Sequence, residues 1–227
     1  MTTTDPLDRI RQALALSGSE SSDFDLNTGY QHQERMLRPA AVLVPLIDRP
    51  QGLSVLLTKR ASGLKHHPGQ IAFPGGKVDD TDADVTAAAL REAHEEVGLN
   101  PALVTVMGAM PIHETVTGFA VTPILGHISA PFSPVVEAGE VEEAFFVPLD
   151  HLLRVESYSI QQRRWLGQWR SFYTVPWGPY YIWGATARML RALAAAARAR
   201  PVQAQVGTTM AFMSTTAGRS RRAAMPM

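Results

Sequence analysis

The sequence predicts a mixed α/β fold, with helices laid on a β-sheet. Three observations predict it. AAVLVPLI (40–47) and LSVLLTKR (53–60) are strand-like runs around a turn, Asp48-Arg49-Pro50-Gln51-Gly52. Residues 84–97 place apolar side chains at helical spacing. A second long helix, rich in Ala and Arg, is expected over 184–199. Strands interrupted by helices of unequal length fit layers better than a bundle.

The remaining elements follow in order. Asp5-Pro6 reads as an N-cap and first helical residue, and Leu7, Ile10 and Leu14 form an apolar stripe ending near Gly18. Residues 18–35 are polar and read as a linker. A loop with two glycine clusters follows the first two strands, and short strands are expected at 103–109, 121–128, 144–148 and 170–175. From Pro201 the chain is small and polar, and is expected to be disordered. The expected organisation is an N-terminal helix and linker over 1–35, a main domain over 36–200 and a tail over 201–227.

Composition excludes several function classes. The 21 basic and 21 acidic side chains cancel, so nothing pulls the whole chain toward nucleic acid or an anionic membrane. No basic stripe with interleaved aromatics appears, which argues against a nucleic-acid role. There is no cysteine, hence no disulfide, thiol catalysis or thiolate metal site. MTTTDPLDRI lacks the pattern of a secretory signal, and no apolar run reaches the roughly 20 residues of a membrane span. The expected location is the cytoplasm. A homodimer is compatible with the sequence but specified by no pattern in it.

REAHEEVGL (91–99) is the most informative stretch. On a helix over 85–97, Val85, Ala89, Leu90, Ala93 and Val97 share one face. Glu92, Glu95 and Glu96 gather on its flank, and Arg91 can reach Glu95 at i+4. Gly98 is the expected C′ residue. Like charges so spaced, near the negative end of the helix dipole, destabilise it locally by about 0.3–1 kcal/mol each. A divalent cation would relieve this, and Mg²⁺ prefers carboxylate oxygens. A bare ExxEE triple is ordinarily a solvated acidic face. Phe73-Pro74-Gly75-Gly76 ahead of the helix changes that reading.

Together these residues resemble the Nudix box, G-x5-E-x7-R-E-U-x-E-E-x-G-U with U apolar. Gly76, Arg91-Glu92-Ala93, Glu95-Glu96 and Gly98-Leu99 match it. The step from Gly76 to Arg91 is 15, one longer than usual, and aspartate, best placed at Asp82, stands for the early glutamate. The resemblance implies a Nudix α/β/α sandwich with a mixed β-sheet. It also implies hydrolysis of a nucleoside diphosphate derivative assisted by Mg²⁺ or Mn²⁺. Glu92, Glu95 and Glu96 would be metal ligands and catalytic residues. Arg91 is expected to orient them by ion pairing. Glu140, ahead of a strand, is the candidate for a further base or ligand.

LLTKRASGLKHHPGQIAFPGG (56–76) further resembles the signature of the coenzyme A pyrophosphatase branch of Nudix hydrolases. Lys65 stands where that branch usually has arginine, which keeps the charge and loses the bidentate fork. The longer step in the box is also usual there. This resemblance implies coenzyme A or a derivative as the small-molecule substrate, the alternatives being ADP-ribose or another nucleoside diphosphate derivative, or a non-catalytic module that binds a nucleotide metabolite. Its phosphates need donors beyond a metal, and Arg60, Lys65 and His67 with the Gly69 backbone are suited. Gln70, Gly75 and Gly76 complete the expected substrate-binding set. His113, Glu114 and His127 carry no spacing signal and receive no role.

Overall fold

Alternation along the central strands sorts the chain into layers. The structure is a computed structural model, and it describes residues 5–16, 18–27, 36–165 and 167–198. Helix α1 (Pro6–Ala15) is followed by strands β1 (Ser21–Ser22), β2 (Arg38–Ile47), β3 (Ser54–Arg60), β4 (Ile71–Ala72) and β5 (Gly75–Lys77). Then come helix α2 (Val85–Val97) and strands β6 (Thr105–Ala109), β7 (His113–Glu114), β8 (Phe119–Ile128) and β9 (Val141–Pro148). A one-turn helix α3 (Leu149–Leu152), a hairpin of β10 (Ser159–Trp165) and β11 (Gln168–Thr174), and helix α4 (Gly184–Arg198) complete the order.

In β2, Ala41, Leu43 and Ile47 face Ala88, Ala89, Ala93 and Val97 of α2. Their neighbours Ala40, Val44 and Leu46 join the opposite core with Ile10 of α1 and Leu190 and Leu193 of α4. Leu56 of β3 and Ile124 of β8 repeat the first direction, Leu57 and Leu125 the second. A strand buried on both faces reads as a continuous apolar run, as AAVLVPLI does. The result is an α/β/α sandwich around a mixed sheet: β2 pairs in parallel with β8 and antiparallel with β3.

β2 and β3 stay paired only at Leu46–Val55 and Ile47–Ser54, then diverge. The segment between them fills the gap, β4 against β3 and β5 against β2. Leu43 N donates to Pro74 O at 2.9 Å within the same wedge. The glycine-rich loop is thereby built into the sheet.

Besides the short strands β4, β5 and β7 and the one-turn helix α3, two features differ from the sequence reading. β10 was not expected, because SIQQRRW has little apolar alternation, and its hairpin forms a separate two-stranded sheet. Within the segment read as a polar linker, Ser21–Ser22 pairs in parallel with His113–Glu114. Residues 28–35 and the expected disordered tail, 201–227, lie outside the described residues. No helix among the described residues is long and apolar enough to cross a membrane.

Candidate functional site

Helix α2 carries the acidic residues and is fixed at both ends. Asp84 caps its start by accepting from Ala87 N at 2.8 Å. Gly98, at φ 69°, ends it in the left-handed conformation, returning its N–H to His94 O. Two further carbonyls of the last turn are taken by the segment before β9. Val135 N donates to Val97 O and Glu137 N to Glu96 O, both at 3.0 Å.

The three box glutamates then diverge in environment. Glu96 is 4% exposed and accepts from Gly75 N at 3.3 Å. Burial pushes its carboxyl up to about 8, with the charges of Glu92 and Glu140 adding and the Gly75 N–H and Arg60 opposing. Glu92 is raised as well, again first by burial, against the pull of Arg91. Its carboxylate lies against Gly76, so closely that any Cβ on Gly76 would overlap it. Glu95 is exposed on the outer side.

Arg91 organises the outer side. Its Nε and one terminal nitrogen grip Asp82 at 2.9 and 3.0 Å, a bidentate pair. The other terminal nitrogen bonds both Glu92 and Glu95 at 3.0 Å. Hydrogen bonding to Asp82 is the first cause of an Arg91 pKa above its already high value, and Asp82 is held below the carboxylate range by the same bond. Asp82, where the box pattern has glutamate, therefore serves Arg91.

The loop between β3 and β4 forms the other side. Arg60 N donates to Gln70 O at 3.0 Å and Gly69 N to Arg60 O at 3.1 Å, closing the loop on Arg60. The Gly69 N–H expected as a substrate donor is thus committed to loop closure. Gly75, also in the expected substrate-binding set, gives its N–H to Glu96. Lys65 is exposed at the loop surface. His67 sits at φ 54°, and its imidazole pKa is lowered by partial burial, then by Arg60 and His66. The segment this loop leads into touches the helix carboxylates, with Gly75 N donating to Glu96 at 3.3 Å and Gly76 lying against Glu92. Glu140 is exposed at the rim, and its carbonyl accepts from Ala61 N at 2.9 Å.

Among the described residues no three His, Asp or Glu side chains stand together as a complete metal site. The donor chemistry nevertheless fits a hard divalent cation. Glu92 and Glu96 are all-oxygen donors one turn apart, both desolvated and raised, with Arg91 hydrogen-bonded to Glu92. Mg²⁺ needs only one or two carboxylates when waters and substrate phosphates supply the rest.

Three residues at work in the molecule had no signal in the sequence: Ser21, Asp23 and His113, which meet across the sheet edge. Their separations of 92 and 90 residues leave no local spacing to read.

A family model described as NUDIX domain matches residues 36–169. A protein named "Uncharacterized Nudix hydrolase NudL" from Enterobacter sp. (strain 638) is 47% identical over 161 residues, 69% of this chain and 81% of that protein. A protein of the same name from Cronobacter sakazakii (strain ATCC BAA-894) is 44% identical over 192 residues, 83% of this chain and 93% of its own. Among solved structures, the Nudix hydrolase RenU from M. Smegmatis aligns at a TM-score of 0.43 and 27% identity, covering 50% of this chain and 72% of its own.

Proposed function

Because the chain belongs to the Nudix family and is a Nudix hydrolase, we propose that its substrate is coenzyme A or a derivative, cleaved at the diphosphate. The products would be 3′-phospho-AMP and 4′-phosphopantetheine, or the acylated form. One observation carries this reading. The segment 56–76 carries Arg60, Lys65 and His67 and ends at Gly75 and Gly76, which meet the helix carboxylates: Gly75 N donates to Glu96 at 3.3 Å and Gly76 lies against Glu92. That supplies cationic donors beyond those a simple diphosphate requires, as a substrate with a third phosphate demands.

Nudix hydrolases use divalent metal ions, and we assign Mg²⁺ or Mn²⁺ to Glu92 and Glu96, with Glu95 available to complete the set. The bound ion supplies charge neutralisation on the diphosphate and acidification of the attacking water. The chain's own residues set the geometry. Arg91, anchored on Asp82, fixes the rotamers of Glu92 and Glu95. Arg60 orients a phosphate at the mouth of the loop, and Lys65 adds a single mobile charge. Glu140, at the rim, is the group placed to take a proton from water. We place the enzyme in the cytoplasm, where coenzyme A derivatives are met.

The test is direct. Incubation with coenzyme A and either metal, followed by chromatography, is expected to yield 3′-phospho-AMP, and its absence under both metals would overturn the reading. Dephospho-coenzyme A in parallel isolates the 3′-phosphate, and should be cleaved less efficiently.

A further inference from the structure

Two buried threonines hold the segment that joins the loop after β3 to the helix carboxylates. Along that segment, Gln70 O accepts from Arg60 N at 3.0 Å and Pro74 O from Leu43 N at 2.9 Å. Between these backbone bonds, two carbonyls are taken by side chains. Ile71 O accepts from Thr186 Oγ1 at 3.1 Å, and Ala72 O from Thr58 Oγ1 at 3.2 Å. Thr186 is 4% exposed and Thr58 1%. Thr58 lies on the face of β3 that Leu56 turns toward α2. Thr186 comes from the first turn of α4, which packs in the opposite core.

The Thr186 bond answers a need of the sheet. The Arg60–Gln70 bond leaves Lys59–Ile71 as the non-hydrogen-bonded pair of the antiparallel ladder. Ile71 O therefore points away from β3, and β4 is the last strand of its path. A buried carbonyl in that position needs a donor from outside the sheet. Beside it, the side-chain amide of Gln70 lies against Gly184, 3.9 Å from where a Cβ on that glycine would stand. The stretch that supplies both contacts is IWGATA (182–187), beyond the residues 36–169 that the family model matches. It is itself well fixed: Ile182 is fully buried, and its carbonyl accepts from Val175 N at 2.9 Å.

The anchor stands between the two halves of the site. Ile71 follows the loop that holds Lys65 and His67, and precedes Gly75, whose N–H goes to Glu96. We propose that the opening turn of α4 belongs to the substrate-binding machinery. Thr186 is a positioning residue that holds the loop end at Gln70–Ile71, and so sets the cationic side chains of the loop relative to Glu92 and Glu96. This rests on the substrate loop assigned under the proposed function.

The test uses the full chain with Thr186→Val, which keeps the shape and removes the donor, and Thr186→Ser, which keeps the donor. With coenzyme A and Mg²⁺, KM is expected to rise about 3- to 10-fold in Thr186→Val, with kcat within about twofold, and to stay near wild type in Thr186→Ser. A KM within about twofold of wild type in Thr186→Val overturns the proposal, whatever happens to kcat. So does a Thr186→Ser enzyme as impaired as Thr186→Val. Amide hydrogen exchange by NMR gives a readout without substrate. The Arg60 and Gly69 amides, which close the loop, are expected to exchange about 5- to 50-fold faster in Thr186→Val, and to accelerate more than those of β2 and β8. Equal acceleration throughout the sheet marks a loss of overall stability and overturns it. Should Thr186→Val not fold, Thr186→Ala takes its place with the same outcomes. If the wild type leaves coenzyme A intact, the substrate reading fails, and the exchange pattern alone decides whether Thr186 holds the loop.

Discussion

Glu96 is the residue on which burial and chemistry conflict most directly. Its raised carboxyl means that the folded, metal-free chain binds a proton more tightly than the unfolded chain does. The Glu96 contribution to stability is therefore greatest at low pH and is lost as pH rises from the unfolded value, 4.5, through about 8. Thermal melts in EDTA should show this as a difference between wild type and Glu96→Gln. The wild type is expected to lose stability relative to the variant across that window, and parallel curves would count against it. Turnover in Glu96→Gln should fall about 10²- to 10⁴-fold, as for loss of a positioned catalytic group. The spacing of Arg91, Glu92, Glu95 and Glu96 was legible because a helix keeps near neighbours together. Which glutamate would be buried and which held outside was less so, since that depends on Gly75 and Asp82, which lie on another strand and loop.

At the scale of elements, the close approach of the wedge loop to α2 explains two adjacent glycines differently. A Cβ on Gly75 would meet Ala41 O at 2.5 Å and Val42 Cα at 2.6 Å, which are backbone atoms of β2 that cannot move aside. The atoms nearest a Cβ on Gly76 are those of the Glu92 carboxylate, the far end of a side chain, which Arg91 holds by one hydrogen bond. Gly75→Ala is therefore expected to cost about 1–3 kcal/mol of stability, as overpacking does. Gly76→Ala should keep most of its stability and lose activity, by displacing Glu92. Melting curves and turnover measured on both variants separate the two outcomes, and equal losses of stability would contradict the assignment. The main helices and the long strands of the main sheet were legible from apolar spacing and apolar runs, whereas β10, a polar seven-residue strand, was not. β1, β4, β5 and β7, of two or three residues each, were not. Their backbone pairing is set by partners elsewhere, and such short runs carry no pattern of their own.

At the scale of the molecule, the N-terminal helix packs within the second core. Ile10 of α1 is fully buried in a cluster with α4. We infer that residues 5–16 and 18–27 fold with the main domain, ahead of the boundary read at residue 36. Ile10→Ala should then destabilise the whole fold by about 2–5 kcal/mol in denaturant unfolding, with one transition for all probes. A separate early transition for α1 would show it to be an independent appendage. The wedge between β2 and β3 has a consequence at this scale too. Backbone bonds fasten it to the sheet on both sides, Leu43 N to Pro74 O and Arg60 N to Gln70 O, so its ends are fixed in the folded chain. The entropy lost in ordering those ends is surrendered when the chain folds. An arriving ligand meets a cradle already set, and little of its binding energy is diverted to shaping it.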